Sequence, residues 1–512
     1  MKKIFIFIFL SCFFINVYSE GYKIENVEYD TKGMTRETAL MSNVPIDTTT
    51  VFKTEDELNK YLKDLDNRLN NLRILESASV EIVSKEDKNE YISVSILIKT
   101  KDTWNIIVIP YPSYDSNSGF SLKLKIKDYN FLGTMDVFDG TVNYKVSNSN
   151  QQDIKFSFDV PFPTFEFLSM HSTFGADFSI AYTFGDKSPS LSFGQSLDFL
   201  KQLNETISFY LGLSNTFYLE PDYEQYGDNF YLKDSISLAF PIKLAKIDNV
   251  GTLTWKPNIS FNLNWDFDVF NGYDNFGLTK SSLFGPSISF EHSVSVGRVN
   301  WHKNFRKGFD ISIAQTLDYN LDAKSINPYF SLNSKIYTTF SDWCGLNSSQ
   351  YLYINAAGKT KTLGEELRGI KNDLFTSDSA IVINIDLPIK VVQTDWVNFF
   401  NYFGLNWNWT RLFDFELQLS PFFDMSLCKN VKTGTQYLIE DGFYSCGLEM
   451  LVFPNKMKSI VGRVSLGVDA VKTLDKIGNK ISFVDKVTNR VFNTEWRSGS
   501  MWELFIGIGL FY

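Results

Sequence analysis

The sequence predicts a small α+β domain followed by an all-β, antiparallel transmembrane barrel of about 16 strands, with a raw count of 16–18. Three observations predict it. The stretch from Leu504 to Tyr512 alternates Leu504, Ile506, Ile508, Leu510 and Tyr512 with Phe505, Gly507, Gly509 and Phe511. Alternate side chains of a strand leave on opposite faces, so this strand carries one unbroken apolar face about as long as a bilayer is thick. Upstream, from Thr103 on, alternating segments recur between Gly, Asn, Asp, Pro and Ser, and no strong helix interrupts them. Finally, 47 Phe, 25 Tyr and 10 Trp coexist with a mean hydropathy of only -0.13. A wall whose residues alternate between lipid and lumen has that signature, because the lumen residues dilute the average while aromatics crowd at the interfaces.

The elements follow in chain order. Lys2 and Lys3 precede the apolar run Ile4–Ile15, and Val17-Tyr18-Ser19 is a cleavage site. Residues 1–19 therefore predict a secretory signal peptide, since the run is shorter than the ~20 residues of a membrane span. The run continues past Cys12, which argues against lipidation there. Residues 20–101 are rich in Lys, Glu and Asp and are expected to form the small domain. Leu58, Leu62, Leu65, Leu69 and Leu72 share one helical face. Thr54 and Glu57 form a capping box at its start. A shorter helix over Arg36–Ser42 and strands over Tyr22–Tyr29, Ser77–Val83 and Tyr91–Lys99 complete a β-α-α-β-β order.

Residues 102–512 are expected to form the barrel, with long polar loops such as Lys472–Gly499 alternating with short turns such as Pro454–Lys458. The net charge of -10 offers no basic field for nucleic acid. His171, His292 and His302 sit at no ligand spacing, so no metal is expected. No phosphate-binding loop is visible, and His171-Ser172 is a chance adjacency, so neither a cofactor nor a catalytic residue is expected and the chain does not read as an enzyme. Cys344, Cys428 and Cys446 follow the signal segment, in an oxidising compartment. Cys428 ends one predicted strand and Cys446 begins the next, so a disulfide across that hairpin is an open expectation.

Several patterns resemble known families. The terminal strand is similar to the insertion signal of bacterial outer-membrane proteins. The β-α-α-β-β order, with Gly33-Met34-Thr35 after the first strand and Leu72–Val80 running from helix into strand, resembles a polypeptide-transport-associated (POTRA) domain. In the barrel, Asp128-Tyr129-Asn130-Phe131-Leu132-Gly133 looks like the N-F-L-G turn between the second and third strands of the outer-membrane protein assembly and secretion family (BamA- and TamA-like, also called bacterial surface antigens). Ser157-Phe158-Asp159-Val160-Pro161 is similar to the strand end that follows, and Leu367-Arg368-Gly369-Ile370 resembles the V-R-G-F/Y motif of the long sixth extracellular loop. Asn384-Ile385-Asp386-Leu387-Pro388 and Pro421-Phe422-Phe423-Asp424 look like the next two strands, each with one acidic residue. The order of these patterns carries the resemblance.

The resemblance implies that Arg368 and Gly369 fold into the lumen and that Asp386 and Asp424 accept from the guanidinium, locking the loop. A partly desolvated arginine needs such acceptors. Two departures stand out: Ile370 replaces the usual aromatic, which predicts looser packing at the loop tip, and only one POTRA-like domain is present. The implied function is insertion of outer-membrane proteins, or protein translocation, through a lateral seam between the first strand near Trp104–Pro112 and Met501–Tyr512. Gly507 and Gly509 would weaken that seam, and a client strand would add to the opened edge. The expected place is the outer membrane of a diderm bacterium, with residues 20–101 in the periplasm. The expected partners are outer-membrane lipid, unfolded outer-membrane or secreted clients, and periplasmic chaperones or accessory lipoproteins. Dedicated secretion of one partner protein is an alternative, and a passive porin is another from a different class. Large steady conductance in a planar bilayer would mark the porin.

Overall fold

The computed structural model describes residues 21–509 except 89, 116–118, 148, 220–229, 248–249, 266–285, 322, 371–374, 459–460 and 478–501. The expected signal segment and the terminal residues Leu510 and Tyr512 lie outside the described residues. The chain divides into two compact units after Asp102.

The first unit is a sheet of β1 (Gly21–Lys32), β2 (Val51–Phe52), β3 (Leu75–Asp87) and β4 (Tyr91–Asp102) with helices α1 (Glu37–Asn43) and α2 (Glu55–Asn70). Its strand order is β2-β1-β4-β3, with β1 parallel to β4. The helix α2 buries Leu58, Leu62, Leu65 and Leu69; Leu72 falls beyond its end. Thr54 accepts from the amide of Glu57 at 3.2 Å, while the Glu57 carboxylate accepts from the amide of Lys53 at 2.8 Å. The Thr54 half of the predicted capping box is therefore made, while the Glu57 carboxylate reaches one residue further back, to Lys53 instead of the Thr54 amide. The two-residue β2 is an addition to the predicted order. Gly33 has φ +145°, and a Cβ there would meet the Asp102 carboxylate at 2.3 Å. That carboxylate accepts from the amides of Met34 (2.7 Å) and Thr35 (3.0 Å) and from the Thr35 hydroxyl (2.6 Å). The loop after β1 thus wraps Asp102, tying the last residue of this unit to its start.

The second unit is a closed antiparallel barrel. Its strands are β5 (Ile106–Asp115), β6 (Gly119–Asp128), β7 (Phe138–Val146), β8 (Gln152–Pro161, resumed at Phe165–Phe167), β9 (Met170–Thr183), β10 (Ser190–Gln202), β11 (Ser208–Leu219) and β12 (Phe230–Ala239, resumed at Ile242–Ile247). There follow β13 (Gly251–Trp265), β14 (Ser287–His302), β15 (Phe305–Asn320), β16 (Ser325–Ser341), β17 (Cys344–Asn355) and β18 (Ser379–Asp386, resumed at Ile389–Gln393). The last four are β19 (Phe415–Cys428), β20 (Phe443–Pro454), β21 (Gly462–Asp469) and β22 (Trp502–Ile508). Each resumed segment pairs with the same neighbour as the segment before it, so the described wall has eighteen strands. That is the upper end of the expected count of 16–18. The interruptions come at Pro161 and Pro163, at Pro241 and at Pro388, where proline removes a ladder donor.

The wall is apolar outside and polar inside. Along β19 the inward residues Glu416, Gln418, Ser420, Phe422, Asp424, Ser426 and Cys428 are all buried, while Leu417, Leu419, Phe423, Met425 and Leu427 turn outward. Along β18, Asn384 and Asp386 are buried and Ile381 and Ile385 are exposed. This inverts the plan of a soluble barrel and suits hydrocarbon on the outside. Among the described residues no helix is long and apolar enough to cross a membrane. Short helices do occur, as α3 (Trp396–Tyr402) and α4 (Ala470–Ile477), in connections at the rims.

The hydroxyl of Thr103 donates to the carbonyl of Lys456 at 2.9 Å, which places the start of the barrel beside the β20–β21 turn. The turns on that rim are short, except for residues 394–414; the long loops lie on the other rim. Asn130, Phe131, Leu132 and Gly133 form the turn between the second and third barrel strands, as the resemblance implied. The Asn130 side chain accepts from the amide of Met135 at 2.9 Å, and Leu132 and Gly133 take φ of 52° and 77°. Cys428 and Cys446 are not bridged. Cys446 sits opposite Phe423, and the two thiols leave opposite faces of the wall, Cys428 buried and Cys446 exposed. The expected disulfide is not formed, because strand parity sends the two thiols to opposite faces.

Candidate functional site

Strand parity and ladder register place five residues in one inward row. Asp386 of β18 pairs with Phe422 of β19, Phe422 with Gly447 of β20, Gly447 with Gly467 of β21, and Gly467 with Glu503 of β22. The row is acidic at both ends, aromatic at one shoulder and bare in the middle. The loop from β17 to β18 folds onto it.

Arg368 lies on this row, 3% exposed. Its Nη1 donates to Asp386 Oδ1 at 2.6 Å and its Nη2 to Asp424 Oδ1 at 2.6 Å. Its Nε and its own amide both donate to Asp424 Oδ2, at 3.0 and 2.9 Å. The guanidinium also lies 3.8 Å from the ring centroid of Phe422, within range of a cation–π contact. Glu449 on β20 approaches Nη1 at 3.6 Å and accepts from Arg463 Nε at 2.7 Å. Arg463 in turn stacks on Phe505 of β22 at 4.6 Å. Two guanidinium groups are thus interleaved with three carboxylates, which is how buried charge is compensated.

Gly369 follows Arg368 at φ +81°, in the region that favours glycine. Its amide donates to Glu503 Oε2 at 2.8 Å. A Cβ on Gly369 would fall 2.7 Å from the Val468 amide nitrogen, and a Cβ on Gly467 would fall 2.7 Å from the Gly369 nitrogen. The loop backbone and the strand backbone therefore touch with no side chain between them. Ile370 is buried with Leu363, Leu367, Phe375, Tyr351, Tyr353, Val382 and Phe443. Ile370 is 1% exposed, so the looser packing expected from the missing aromatic is not seen at this position.

The seam is the other half of the site. β22 pairs with β21 from Trp502 to Ile508 but with β5, among the described residues, only at Phe505–Asp115 and Ile506–Tyr114. The expected partner segment Trp104–Pro112 is offset from this pairing. On the side of Ile508 a reason lies in β5. Tyr129 donates to the carbonyl of Asn105 at 3.0 Å, and the β5–β6 register is unbroken from Ile106 to Asp115. Odd-numbered residues of β5 therefore point their backbone groups at β6, and even-numbered ones at the seam. Two of the even ones, Pro110 and Pro112, have no N–H to give. Continuing the observed register would set Ile508 against Pro112.

Leu504, Ile506 and Ile508 lie on β22, with Leu504 and Ile506 on its outward face with Trp502. The glycines behave differently from mere spacers. Gly507 leaves room for the Phe505 ring, whose Cζ lies 2.7 Å from where a Cβ would stand. Gly509 at φ +110° is beyond the strand end, and its amide donates to the carbonyl of Val461 at 2.8 Å. Sequence reasoning brought Arg368, Gly369, Asp386 and Asp424 together correctly. It missed Phe422, Gly447, Glu449, Gly467 and Glu503. Alternation could have placed each of them on an inward face, as the small, acidic or aromatic residue of a strand whose other face is apolar; it could not have shown which loop that face meets. Among the described residues no group of three or more His, Cys, Asp or Glu is arranged to hold a metal ion.

No family model and no curated protein matches the sequence. Solved structures do. The chain is similar to CdiB from Acinetobacter baumannii, at 9% identity and a TM-score of 0.50, over 95% of this chain and 74% of that one. It is similar to CdiB from Escherichia coli at 9% identity and a TM-score of 0.48, over 96% and 76%. BamA from Haemophilus ducreyi lacking POTRA domains 1-3 matches at 12% identity and a TM-score of 0.38, over 94% and 84%. At such identities what the chain shares with the first of these is a fold, a small α+β unit followed by a large antiparallel β-barrel.

Proposed function

We propose that the chain is an outer-membrane factor that inserts β-barrel proteins into the membrane, or passes polypeptides across it, by opening the seam between β5 and β22. The first unit would then lie in the periplasm. The observation that carries this reading is the mismatch at β22. One edge is held along its length by β21, and from the lumen by Gly369 on Glu503. The other edge meets a strand that proline has deprived of donors. A strand held on one side and, among the described residues, paired at two positions on the other is a template for strand addition. The client's own insertion would supply the driving free energy, as its backbone groups become satisfied. The Arg368 cluster would lock the loop and fix β22 in place. A second reading, dedicated export of a single partner protein, is left open by the single small unit that precedes the barrel among the described residues.

The test is to close the seam. Tyr114 and Ile506 pair directly, and directly opposed Cβ atoms lie ~4.5–5.5 Å apart, near the span of a disulfide. Cells whose only copy carries Tyr114→Cys and Ile506→Cys, with Cys446→Ser, should lose many outer-membrane proteins under oxidising conditions and recover them with reductant. Loss of one exported protein alone would select the second reading. Normal membranes with the cross-link formed would overturn both.

A further inference from the structure

Residues 394–414 break the short-turn rule of their rim, and they do so with aromatic residues. The segment leaves the wall at Gln393 of β18 and returns at Phe415 of β19. It holds α3 and a 3-10 turn from Asn408 to Phe413. Phe399, Tyr402, Phe403, Trp409, Leu412 and Phe413 are all exposed, Tyr402 by 86% and Phe403 by 63%. The aromatic rings of the segment form a chain: Phe403 meets Phe399 at 5.3 Å, Phe399 meets Phe400 at 5.4 Å, Phe400 meets Trp407 at 5.0 Å, Trp407 meets Trp409 at 6.2 Å, and Trp409 meets Phe413 at 5.7 Å. An apolar surface of this kind on a monomer marks an interaction site.

The segment is built to stand away from water without breaking. Asp395 caps α3 through the amide of Asn398 at 3.1 Å. Asp414 accepts from the amide of Trp396 at 2.8 Å, and the Trp396 indole donates to the carbonyl of Phe413 at 3.1 Å. Thr394 accepts from the amide of Phe415 at 2.8 Å, and Thr410 donates to the carbonyl of Trp407 at 2.7 Å. The polar groups at its two ends are thus spent inside the segment, which a lipid-facing element requires. Between residues 396 and 413 the only charged residue is Arg411.

We propose that residues 394–414 are a membrane foot: a preformed aromatic hairpin that lies in the headgroup and upper acyl region of the leaflet next to its rim, with phospholipid as its partner. Continuity selects lipid over a protein partner. The foot extends the outward face that ends in Leu387, Val391 and Val392, all exposed. The neighbouring β16–β17 turn presents Phe340 and Trp343, exposed by 64% and 58%, and the carbonyl of Trp343 accepts from Lys390 beside the foot at 2.8 Å. Tryptophan and tyrosine with a lone arginine match the interface between acyl chains and phosphate. The foot also joins the two strands that carry Asp386 and Asp424. Lipid held there bears on the hairpin to which Arg368 is locked.

This proposal rests on the membrane-spanning reading of the barrel, and its test separates the two. The full-length protein is made with p-benzoylphenylalanine in place of Phe403, and separately in place of Ile385 on the outward wall. Each form is reconstituted into phosphatidylethanolamine–phosphatidylglycerol vesicles and irradiated. The proposal expects phospholipid adducts at both positions. A lipid adduct at Ile385 without one at Phe403 would overturn the foot alone. An adduct from Phe403 to residues 21–102 or to a second copy of the chain, in place of lipid, would overturn it too. No lipid adduct at either position would overturn the foot and the membrane reading together. Leu412, 57% exposed, serves as a second foot position, and the same outcomes apply there.

Discussion

At the scale of single residues, Arg368 decides most. Its guanidinium is enclosed by Asp386, Asp424, Phe422 and Glu449, and the two aspartates are themselves buried. Arg368→Ala would leave Asp386 and Asp424 inside the lumen without their cation. Removing one partner from a buried ion cluster costs about 3–5 kcal/mol, so the folded barrel should lose about that much in a urea titration of the reconstituted protein. A wild-type midpoint and slope would mean that the cluster does not hold the loop. The arginine and its aspartates were legible in the sequence because their short patterns fall in a recognisable order. Glu503 was not. It sits in a strand whose alternation advertises only its apolar face, and nothing local says that the opposite face meets a loop from residues 368–369. Ile370 shows the converse: its fit depends on seven neighbours from three strands and the loop itself, not on the one position alone.

At the scale of elements, the seam is a property of β5 as much as of β22. The sequence drew attention to Gly507 and Gly509, because glycine in a strand reads as weakness. The structure moves the weakness to Pro110 and Pro112, through the fact that even-numbered residues of β5 face the seam. Pro110→Val with Pro112→Val returns two donors to that edge. A backbone hydrogen bond is worth about 0.5–1.5 kcal/mol net, so amide exchange across Trp502–Ile508 should slow by roughly tenfold if both form. Exchange rates equal to those of the unmodified chain would show that the prolines do not limit the pairing. The connection at 394–414 teaches a related lesson. Its aromatic residues matched the composition of a barrel, so they drew no separate notice. Only their position between two strand ends, on a rim of short turns, marks them as an added element.

At the scale of the whole molecule, the two units are held by different chemistry. The barrel is a ladder of backbone bonds around a polar lumen; the first unit is a small apolar core stitched by surface ion pairs. One of those stitches makes the first unit acid-sensitive. Glu25 of β1 accepts from Lys88 at 2.5 Å, Tyr91 at 2.6 Å and Ser93 at 2.6 Å. Those bonds, the one to Lys88 foremost, hold its carboxyl at about 2, against an ordinary value of 4.5. A group whose folded value is depressed contributes stability that is fully present above the unfolded value and is lost as pH falls toward the folded one. The first unit should therefore weaken progressively between about pH 4.5 and pH 2, and Glu25→Gln should flatten that part of the profile in a pH series of thermal melts. An unchanged slope would assign the acid sensitivity to other groups. The sequence by itself determined the class of each unit and the boundary region between them, because alternation, leucine spacing and capping are local and act within a few residues. It also determined which residues are chemically unusual, such as Arg368 and the aspartates. Only the tertiary structure decided which of them meet. Strand number, the inward row from Asp386 to Glu503, the parity that separates Cys428 from Cys446, and the pairing of β5 with β22 among the described residues all depend on register between strands distant in the chain. A shift of one residue exchanges the faces of an entire strand, and no local pattern fixes that shift.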